Sequence, residues 1–420
     1  MTKTTPLLTK TARATLKAHE ALMDVAVHTP LEYSERLSRL YQAEVFLKRE
    51  DLQPVRSYKI RGAYTLIHSL SPEERARGVV CASAGNHAQG VAYSCKTLGI
   101  RGTIFMPETT PRQKVDKVRF FGDTWVDIKL VGKTFDESNA AALAFADTKH
   151  AVYAPPFDDP RTIAGQGTVA KEILADAPDV DVVVHPIGGG GLIAGCGAYF
   201  ATHAPQVQII GAEPSGALGM LRSLEAGRVV TLKDIDPFVD GAAVKKVGSK
   251  TFAIAKQVVS KIVSVPEGAV CTTMIELYQK EGIIAEPAGA LAIAALDELA
   301  SALRGKRVVV VVSGGNNDIS RYPEVIERSL VFQGLKHYFI IEFFQKPGEL
   351  RTFVTEALGP GDDITRFEYI KKTNKEKGPA LVGVELSQKE DLKPLLARMD
   401  TLGIRYKHFT SDDVLYSVLI

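Results

Sequence analysis

The chain of 420 residues has little net charge and no long apolar run. Its 51 basic and 49 acidic residues leave a formal net charge of +2, too small for the basic face that nucleic-acid binding requires. No apolar run reaches membrane-spanning length, and the first ten residues lack the apolar core of a signal peptide. We therefore expect a cytoplasmic protein that binds neither nucleic acid nor membrane.

Cysteine is also scarce. The four cysteines, Cys81, Cys95, Cys196 and Cys271, show no C-x-x-C spacing and stand among apolar or small residues. Such thiols are typically buried and reduced, so neither a zinc site nor a disulfide framework is expected. In contrast, 45% hydrophobic and 24% charged residues are ordinary for a globular chain.

Strand-like and helix-like segments alternate between about residues 44 and 320. The strand-like runs lie at 79–82, 102–106, 125–131, 180–187, 207–212 and 308–312. Alternation of this kind predicts an α/β fold with parallel sheets that are covered by helices.

Four consecutive glycines, Gly188, Gly189, Gly190 and Gly191, connect a strand-like run to a helix-like segment that starts at Leu192. A turn without side chains before a helix directs several backbone N–H groups and the positive helix end at one point, which suits a phosphate. A tight turn that needs glycine only for its backbone angles is the structural alternative. Four glycines in a row cost chain entropy at every position and favour the anion site.

The glycine turn also fits a different phosphate ligand. Gly189, Gly191 and Ala194 match G-x-G-x-x-A, and Glu213 ends the next strand-like run. A dinucleotide-binding fold has these features, with an acid that holds a ribose hydroxyl. The turn by itself leaves an NAD-dependent dehydrogenase open as an alternative.

Three other segments contain residues suited to cofactor chemistry. They are 48–64 with Lys59, 82–92 with Asn86, and 308–318 with Ser313. In this order, and with the glycine turn, they resemble the fold-type II family of pyridoxal-phosphate (PLP) enzymes, and within it the threonine dehydratases. The resemblance covers about the first 325 residues.

Lys59 stands where this family has its Schiff-base lysine. Arg56 and Arg61 flank it, and a partly desolvated amine beside a cation has a lowered pKa and becomes a nucleophile. Taken alone, a solvated lysine at a helix start would be the ordinary interpretation. The resemblance implies that Lys59 holds the cofactor and removes the Cα proton of the substrate.

The resemblance also implies roles for the other motifs. The Ser83–His87 loop binds the substrate carboxylate and the Asn86 amide bonds the ring hydroxyl of the cofactor, although Ser83 or Asn86 would also suit a helix cap. His87 has no carboxylate partner in the motif and is expected to be structural. The expected substrate contacts are Ser83, Ala84, Gly85, Asn86 and His87, and the expected cofactor contacts are Lys59, Tyr58, Asn86, Gly188, Gly189, Gly190, Gly191, Leu192, Gly241, Glu286 and Ser313.

Ser313 follows five valines that predict a fully buried parallel strand. Its hydroxyl is expected at a carboxyl strand end, where open α/β sheets bind ligands, and by resemblance it faces the pyridine nitrogen. A serine bonds a neutral nitrogen, which favours β-elimination over transamination or racemisation. Gly241 and Glu286 match the family more weakly, and an acid before Pro287 is commonly only a helix-dipole partner.

Some relatives bind a divalent cation through a glutamate, a backbone carbonyl and a second acid. Here Glu213 and Ala217 correspond to the first two, but Gly219 offers no carboxylate. A hard cation prefers several charged oxygens. We therefore expect no metal and a structural role for Glu213.

Residues 331–420 have a different pattern. A ferredoxin-like βαββαβ module is predicted, with its six elements at 338–344, 349–358, 364–371, 380–386, 389–402 and 404–409 and turns at 345–348 and 374–378. Ser387 and Glu390 predict a capping box before the second helix. The apolar face of that helix is formed by Leu392, Leu395, Leu396, Met399 and Leu402.

This tail resembles the ACT-like regulatory module of biosynthetic threonine dehydratases, in a single copy. The resemblance implies L-isoleucine as feedback inhibitor and L-valine as its antagonist. The turn at 346–350 is expected either to contact the effector or to be an ordinary connection. A small module must cover a sheet edge or face, which favours pairing between subunits.

The resemblance implies a two-lobed catalytic domain at 1–325, with a smaller lobe at about 45–150, and an ACT-like α+β domain at 331–420. It also implies PLP-dependent deamination of L-threonine to 2-oxobutanoate and ammonia, the first committed step of isoleucine biosynthesis, by a dimer or tetramer. The alternatives are a serine/threonine dehydratase or racemase of the same fold, the dehydrogenase, and a catalytically idle amino-acid sensor.

Overall fold

The computed structural model describes residues 5–369 and 376–410, and the chain divides into two compact units. The first unit consists of the residues up to Glu267 together with Leu277–Asn317. The second consists of Gly268–Glu276 and the residues from Asp318 onward.

The larger sheet of the first unit has six strands. From one edge to the other they are β1 (Leu31–Tyr33), β2 (Glu44–Arg49), β10 (Arg307–Val312), β7 (Val182–Pro186), β8 (Gln208–Pro214) and β9 (Val259–Val265). Neighbouring strands are parallel except β1, which runs antiparallel to β2. The five valines of β10 are completely buried, because helices cover both faces of a parallel sheet.

A smaller sheet of four parallel strands forms a separate lobe of the same unit. Its order is β5 (Val126–Leu130), β4 (Gly102–Met106), β3 (Val79–Ala82) and β6 (Val152–Tyr153). The two parallel sheets confirm the predicted α/β class.

Helices pack on both sheets. The helices of the first unit are α1 (Pro6–Leu22), α2 (Glu35–Tyr41), α3 (Lys59–His68), α4 (Pro72–Arg77), α5 (Asn86–Leu98), α6 (Arg112–Gly122), α7 (Phe135–Lys149), α8 (Pro160–Asp176), α9 (Gly191–His203), α10 (Gly219–Ala226), α11 (Ser249–Val258), α13 (Pro287–Ala294) and α14 (Leu296–Leu303). Helix α12 (Glu267–Glu281) has residues in both units. Among the described residues, no helix is both long and apolar enough to cross a membrane. All four cysteines are buried free thiols.

An ion-pair cluster is buried beneath the first turn of α3. Arg61 Nε lies 2.8 Å from Glu50 Oε2, and Arg61 Nη1 lies 2.6 Å from Glu172 Oε1. Lys48 Nζ lies 2.7 Å from Glu172 Oε2. At most 3% of each of these four side chains is exposed. The cluster therefore ties α3 to the end of β2 and to α8 in a medium where unpaired charge is costly.

The second unit contains one antiparallel sheet with the order β12 (Asp363–Tyr369), β13 (Lys377–Glu385), β11 (Lys336–Phe344) and β14 (Arg405–His408). Its helices are α15 (Tyr322–Phe332), α16 (Glu349–Thr352) and α17 (Leu392–Thr401). The βαββαβ succession confirms the ferredoxin-like prediction. The five predicted apolar residues of the second helix all contribute to the core of this unit.

Local details of this unit differ from the prediction. The first helix has only one α turn before a π-helical turn, Phe353–Ala357. The capping box is wrong: Ser387 Oγ donates to the Gly361 carbonyl at 3.0 Å, and a 3-10 turn, Lys389–Asp391, precedes α17. Tertiary packing thus diverts the Ser387 hydroxyl from the local helix start. The predicted end of the second strand at 370–371 and the turn residues 374–375 lie outside the described residues.

We expect Arg61→Met to lower the free energy of unfolding of the first unit by about 3–5 kcal/mol, because buried Glu50 would lose its cation and Glu172 would keep only Lys48. The control is Arg222→Met, which removes a half-exposed pair with Glu225 and should change stability by no more than about 0.5 kcal/mol. Calorimetry of both variants measures the difference. Equal stability of the two would contradict a structural role of the cluster.

Candidate active site

Lys59 is the first residue of α3, and its side chain is partly buried. Its Nζ donates to the Pro156 carbonyl at 3.1 Å and lies 5.2 Å from the centre of the Tyr58 ring. Burial lowers the pKa of Lys59 to about 8, and Glu286 partly opposes this shift. Arg61, expected as a cationic neighbour, belongs to the buried cluster, so desolvation is the main cause of the low pKa.

The Pro156 carbonyl is a contact that sequence reasoning missed. It also accepts a hydrogen bond from Gln166 Nε2 at 3.3 Å. Gln166 is fully buried, and its Oε1 has no partner in the described part of the chain. A backbone acceptor carries no residue-type signal, and a glutamine in a helix is normally a surface residue, so neither was detectable.

The glycine turn leads from β7 into α9, which begins at Gly191. Gly190 has a φ of +91°, which L side chains rarely adopt. A Cβ on Gly189 would overlap the Phe157 ring, and one on Gly191 would overlap Gln166 Oε1. Conformation and close packing both require glycine here.

The same turn offers unused hydrogen-bond donors. Within residues 5–369 and 376–410, no group accepts a hydrogen bond from the N–H groups of Gly188, Gly189 or Gly190. Thr251 Oγ1 holds the turn by donating to the Gly189 carbonyl at 2.7 Å. The next residue of the helix, Leu192, buries its side chain in the core, so it can present only its N–H to a ligand. Free donors at the positive end of a long helix fit a phosphate group such as that of PLP.

The predicted substrate loop joins β3 to α5. Gly85 precedes α5, and its N–H donates to Ser83 Oγ at 3.2 Å, while no side chain caps the helix. The capping alternative for Ser83 and Asn86 is therefore wrong. Ala84 packs against the core of the small lobe. The start of α5 is left with its N–H groups uncapped, as at the glycine turn.

His87 is buried behind this loop. Its Nε2 lies 2.8 Å from the Ala154 carbonyl oxygen. Burial, with a smaller contribution from Lys59, lowers the pKa of His87 to about 3, so the imidazole is neutral at physiological pH. A neutral ring bonded to the backbone anchors the loop and adds no charge to the site.

Asn86 and Glu286 meet between the lobes. Asn86 Nδ2 donates to Glu286 Oε1 at 2.6 Å. Burial, followed by the proximity of Asp240, raises the pKa of Glu286 to about 7. Glu286 precedes α13 but makes no side-chain cap bond, so its observed contact is with Asn86. A Cβ on Gly241 would lie 3.6 Å from Glu286 Oε1, which places Gly241 beside this pair.

Ser313 directly follows β10, at the carboxyl end of the strand. Its Oγ donates to the Ala288 carbonyl at 3.1 Å, and its own carbonyl accepts from Tyr58 N at 3.1 Å. Burial raises the pKa of the Tyr58 hydroxyl, so it stays protonated. Ser57 Oγ is buried nearby without a partner among the described residues. The structure thus brings the sequence-predicted Lys59, Asn86 and Ser313 regions together, since Tyr58 bonds Ser313 and Glu286 bonds both Asn86 and Gly314.

Glu213 decides against the dinucleotide alternative. Its carboxylate accepts hydrogen bonds from the N–H groups of Met220, at 2.7 Å, and Leu221, at 2.8 Å, at the start of α10. Burial raises the pKa of Glu213 to about 7. A carboxylate that already accepts these two hydrogen bonds cannot hold a ribose hydroxyl. Ala194, the last residue of the G-x-G-x-x-A match, is a core residue.

Comparison with known protein families agrees with this geometry. Residues 23–314 match a model described as "Pyridoxal-phosphate dependent enzyme". Residues 327–419 match "C-terminal regulatory domain of Threonine dehydratase".

Curated and solved relatives extend over most of the chain. The biosynthetic L-threonine dehydratase of Bacillus subtilis is 54% identical over 96% of both chains, and that of Lactococcus lactis is 52% identical over 96% of this chain and 98% of its own. Processed threonine deaminase isoform 2 from Solanum lycopersicum has 41% identity and a TM-score of 0.74, over 77% of this chain and 93% of that chain. Maize serine racemase has 30% identity and a TM-score of 0.71, over 76% and 98%. The chain belongs to the pyridoxal-phosphate-dependent enzymes, in the family of the biosynthetic threonine dehydratases.

Proposed function

We propose that the chain deaminates L-threonine to 2-oxobutanoate and ammonia, as a cytoplasmic enzyme in the first committed step of isoleucine biosynthesis. The observation that carries this proposal is the partly buried Lys59 amine, whose pKa is lowered, together with the unused N–H donors of the glycine turn. Bound PLP supplies the electron sink that stabilises a negative charge on the substrate Cα.

Lys59 has two roles in this proposal, as the residue that holds the cofactor and as the general base. With a pKa of about 8, a useful fraction of the amine is neutral near pH 7, whereas a solvated lysine is almost fully protonated. A base is most effective when its pKa is close to the working pH. The Pro156 carbonyl directs the amine while it is free.

The substrate carboxylate is assigned to the Ser83–His87 loop. The uncapped start of α5, a helix of 13 residues, favours a negative charge there. His87 anchors this loop through Ala154. The cofactor phosphate is assigned to the glycine turn, and the cofactor's ring hydroxyl to Asn86 with Glu286 and Gly241 next to it.

Ser313 is assigned to the pyridine nitrogen, to which its hydroxyl would donate in place of the Ala288 carbonyl, and this favours elimination. A hydroxyl would not keep that nitrogen protonated as an acid would, and the bound cofactor would then be a weaker electron sink, which suits β-elimination better than transamination or racemisation. L-serine is a slower substrate in this proposal. The likeness to maize serine racemase makes racemisation of serine the alternative activity, which assay of D-serine distinguishes.

We assign catalysis to residues 1–325, with a small lobe at about 45–150, and regulation to 331–420. L-isoleucine is the proposed inhibitor and L-valine its antagonist. The turn 346–350, where Gly348 has a φ of +98°, is the proposed effector contact. The proposed assembly is a dimer or tetramer that pairs these regulatory modules.

Lys59→Ala should reduce the release of 2-oxobutanoate from L-threonine by at least about 10³-fold, because one amine serves as both nucleophile and base. The exposed Lys256, which lies over the Phe252 ring, provides the matched control. We expect Lys256→Ala to retain the parent rate. Substantial turnover by the Lys59 variant would overturn the mechanism.

Capture of PLP by the apoprotein should follow the titration of Lys59. The rate constant should rise about tenfold per pH unit below pH 8 and level off above it, since only the neutral amine is a nucleophile. In Glu286→Gln the midpoint should fall, because the Glu286 carboxylate raises the pKa of Lys59. Stopped-flow absorbance measures both profiles, and identical midpoints would contradict the assigned electrostatics.

Saturating L-isoleucine should raise the L-threonine concentration for half-maximal rate by about 5- to 150-fold, the usual range of coupling between two sites. L-valine should reverse the shift, whereas L-alanine at the same concentration serves as control. Initial-rate kinetics with the full chain decide the matter. If the rate with L-threonine is the same with and without L-isoleucine, the proposed lyase activity stands and the proposed effector is refuted.

A further inference from the structure

Asn86 is one member of a continuous hydrogen-bond chain that crosses the cleft of the first unit. Lys117 Nζ, on α6 of the small lobe, donates to Asn316 Oδ1 at 3.2 Å. Asn316 Nδ2 donates to Asn86 Oδ1 at 2.8 Å, and Asn86 Nδ2 donates to Glu286 Oε1 at 2.6 Å. The chain runs from an ammonium group to a carboxyl group, and every bond in it points the same way.

The orientation of the Asn316 amide is fixed at both ends. Its Nδ2 has a second acceptor, the Val55 carbonyl, at 2.8 Å. A lysine ammonium can only donate, so it selects the oxygen end of the amide. A flipped Asn316 would bring Nδ2 against the ammonium and Oδ1 against two oxygens, and would lose all three bonds.

A fixed Asn316 in turn fixes Asn86. Because Asn316 offers an N–H, Asn86 must present its oxygen to Asn316 and its NH₂ group to the cleft. One hydrogen of that NH₂ goes to Glu286, its one acceptor within the described residues, and the second remains for a ligand oxygen. Without this constraint the two ends of the amide are nearly equal in shape, and either could face a ligand.

We propose that Asn316 is a positioning residue that sets which end of the Asn86 amide faces the cofactor. This inference rests on the proposed bond between Asn86 and the ring hydroxyl. Lys117 polarises and holds Asn316, and thereby connects α6 of the small lobe to the cofactor site. Sequence motifs show Asn316 only as the residue three positions after Ser313, and its effect on Asn86 depends on the packing of the two lobes.

The test is Asn316→Asp, which preserves shape but removes the donor. The new carboxylate can pair with Lys117, so the fold retains a favourable contact, whereas Asn86 loses the donor that orients it. We expect the Kd for PLP, from absorbance titration of the apoprotein, to rise at least about tenfold, with a shifted absorption band of the bound cofactor. The melting temperature of the apoprotein should change by no more than about 2 °C.

The matched control is Asn317→Asp, which alters the adjacent amide. Asn317 Nδ2 donates to the Ala285 carbonyl at 3.1 Å and not to Asn86. We expect its Kd for PLP and absorption band to equal those of the parent. Equal changes in both aspartate variants would mean that added negative charge, and not the lost donor, is responsible, and would overturn the inference.

Lys117 provides a second, milder perturbation. Lys117→Met should raise the Kd for PLP by less than Asn316→Asp does. Lys117→Arg should keep the parent Kd, because arginine again supplies an N–H donor to Asn316. If Asn316→Asp fails to fold, an unchanged Kd in Lys117→Met refutes the proposal. Asn86→Ala tests the role of Asn86 separately. An unchanged Kd for PLP in this variant refutes the proposed role of Asn86 itself. A raised Kd in Asn86→Ala together with an unchanged Kd in Asn316→Asp refutes only the positioning role of Asn316.

Discussion

The ion pairs that Arg61 makes beneath α3 are the constraint on which the site depends. Arg61 follows Lys59 by two residues, so whatever fixes its guanidinium fixes the start of the helix that carries the reactive amine. Glu50 and Glu172 approach it from different elements, and all three are buried. The side chain of Lys59 is thereby directed to the cleft, while the positive charge of Arg61 is neutralised away from it.

Burial then supplies the chemistry at Lys59. Desolvation lowers the pKa of the amine to about 8, and the same low-dielectric cleft raises the pKa of Glu286 to about 7. Burial therefore shifts both pKa values toward neutral pH, because it disfavours the charged form of the amine and of the carboxyl group alike. The amide of Asn86 bonds Glu286 and adds no charge to the site. A solvent-filled cleft would leave the amine protonated.

Motifs identified the candidate site segments because each motif is a run of neighbouring residues. The glycine at 190 indicates a positive φ, and the valine run before Ser313 indicates the end of a buried strand. Both predictions depend only on consecutive residues. Pro156 and Asn316 were missed as site residues, since each acts through a partner far away in sequence, and Gln166 was missed because it acts through Pro156. The capping box at Ser387 failed for the related reason that Gly361, a distant residue, competes for the hydroxyl.

The sequence by itself determined the α/β class, the ferredoxin-like order of the tail and the family, because periodicity and motif order are properties of the chain. It also determined that Lys59 has the residue type for the reaction. Only the tertiary structure decided that burial, and not Arg61, lowers the pKa of Lys59, that Glu213 caps α10, and that Asn316 faces Asn86. Electrostatic environment and hydrogen-bond direction depend on residues that folding brings together, and no local pattern encodes them.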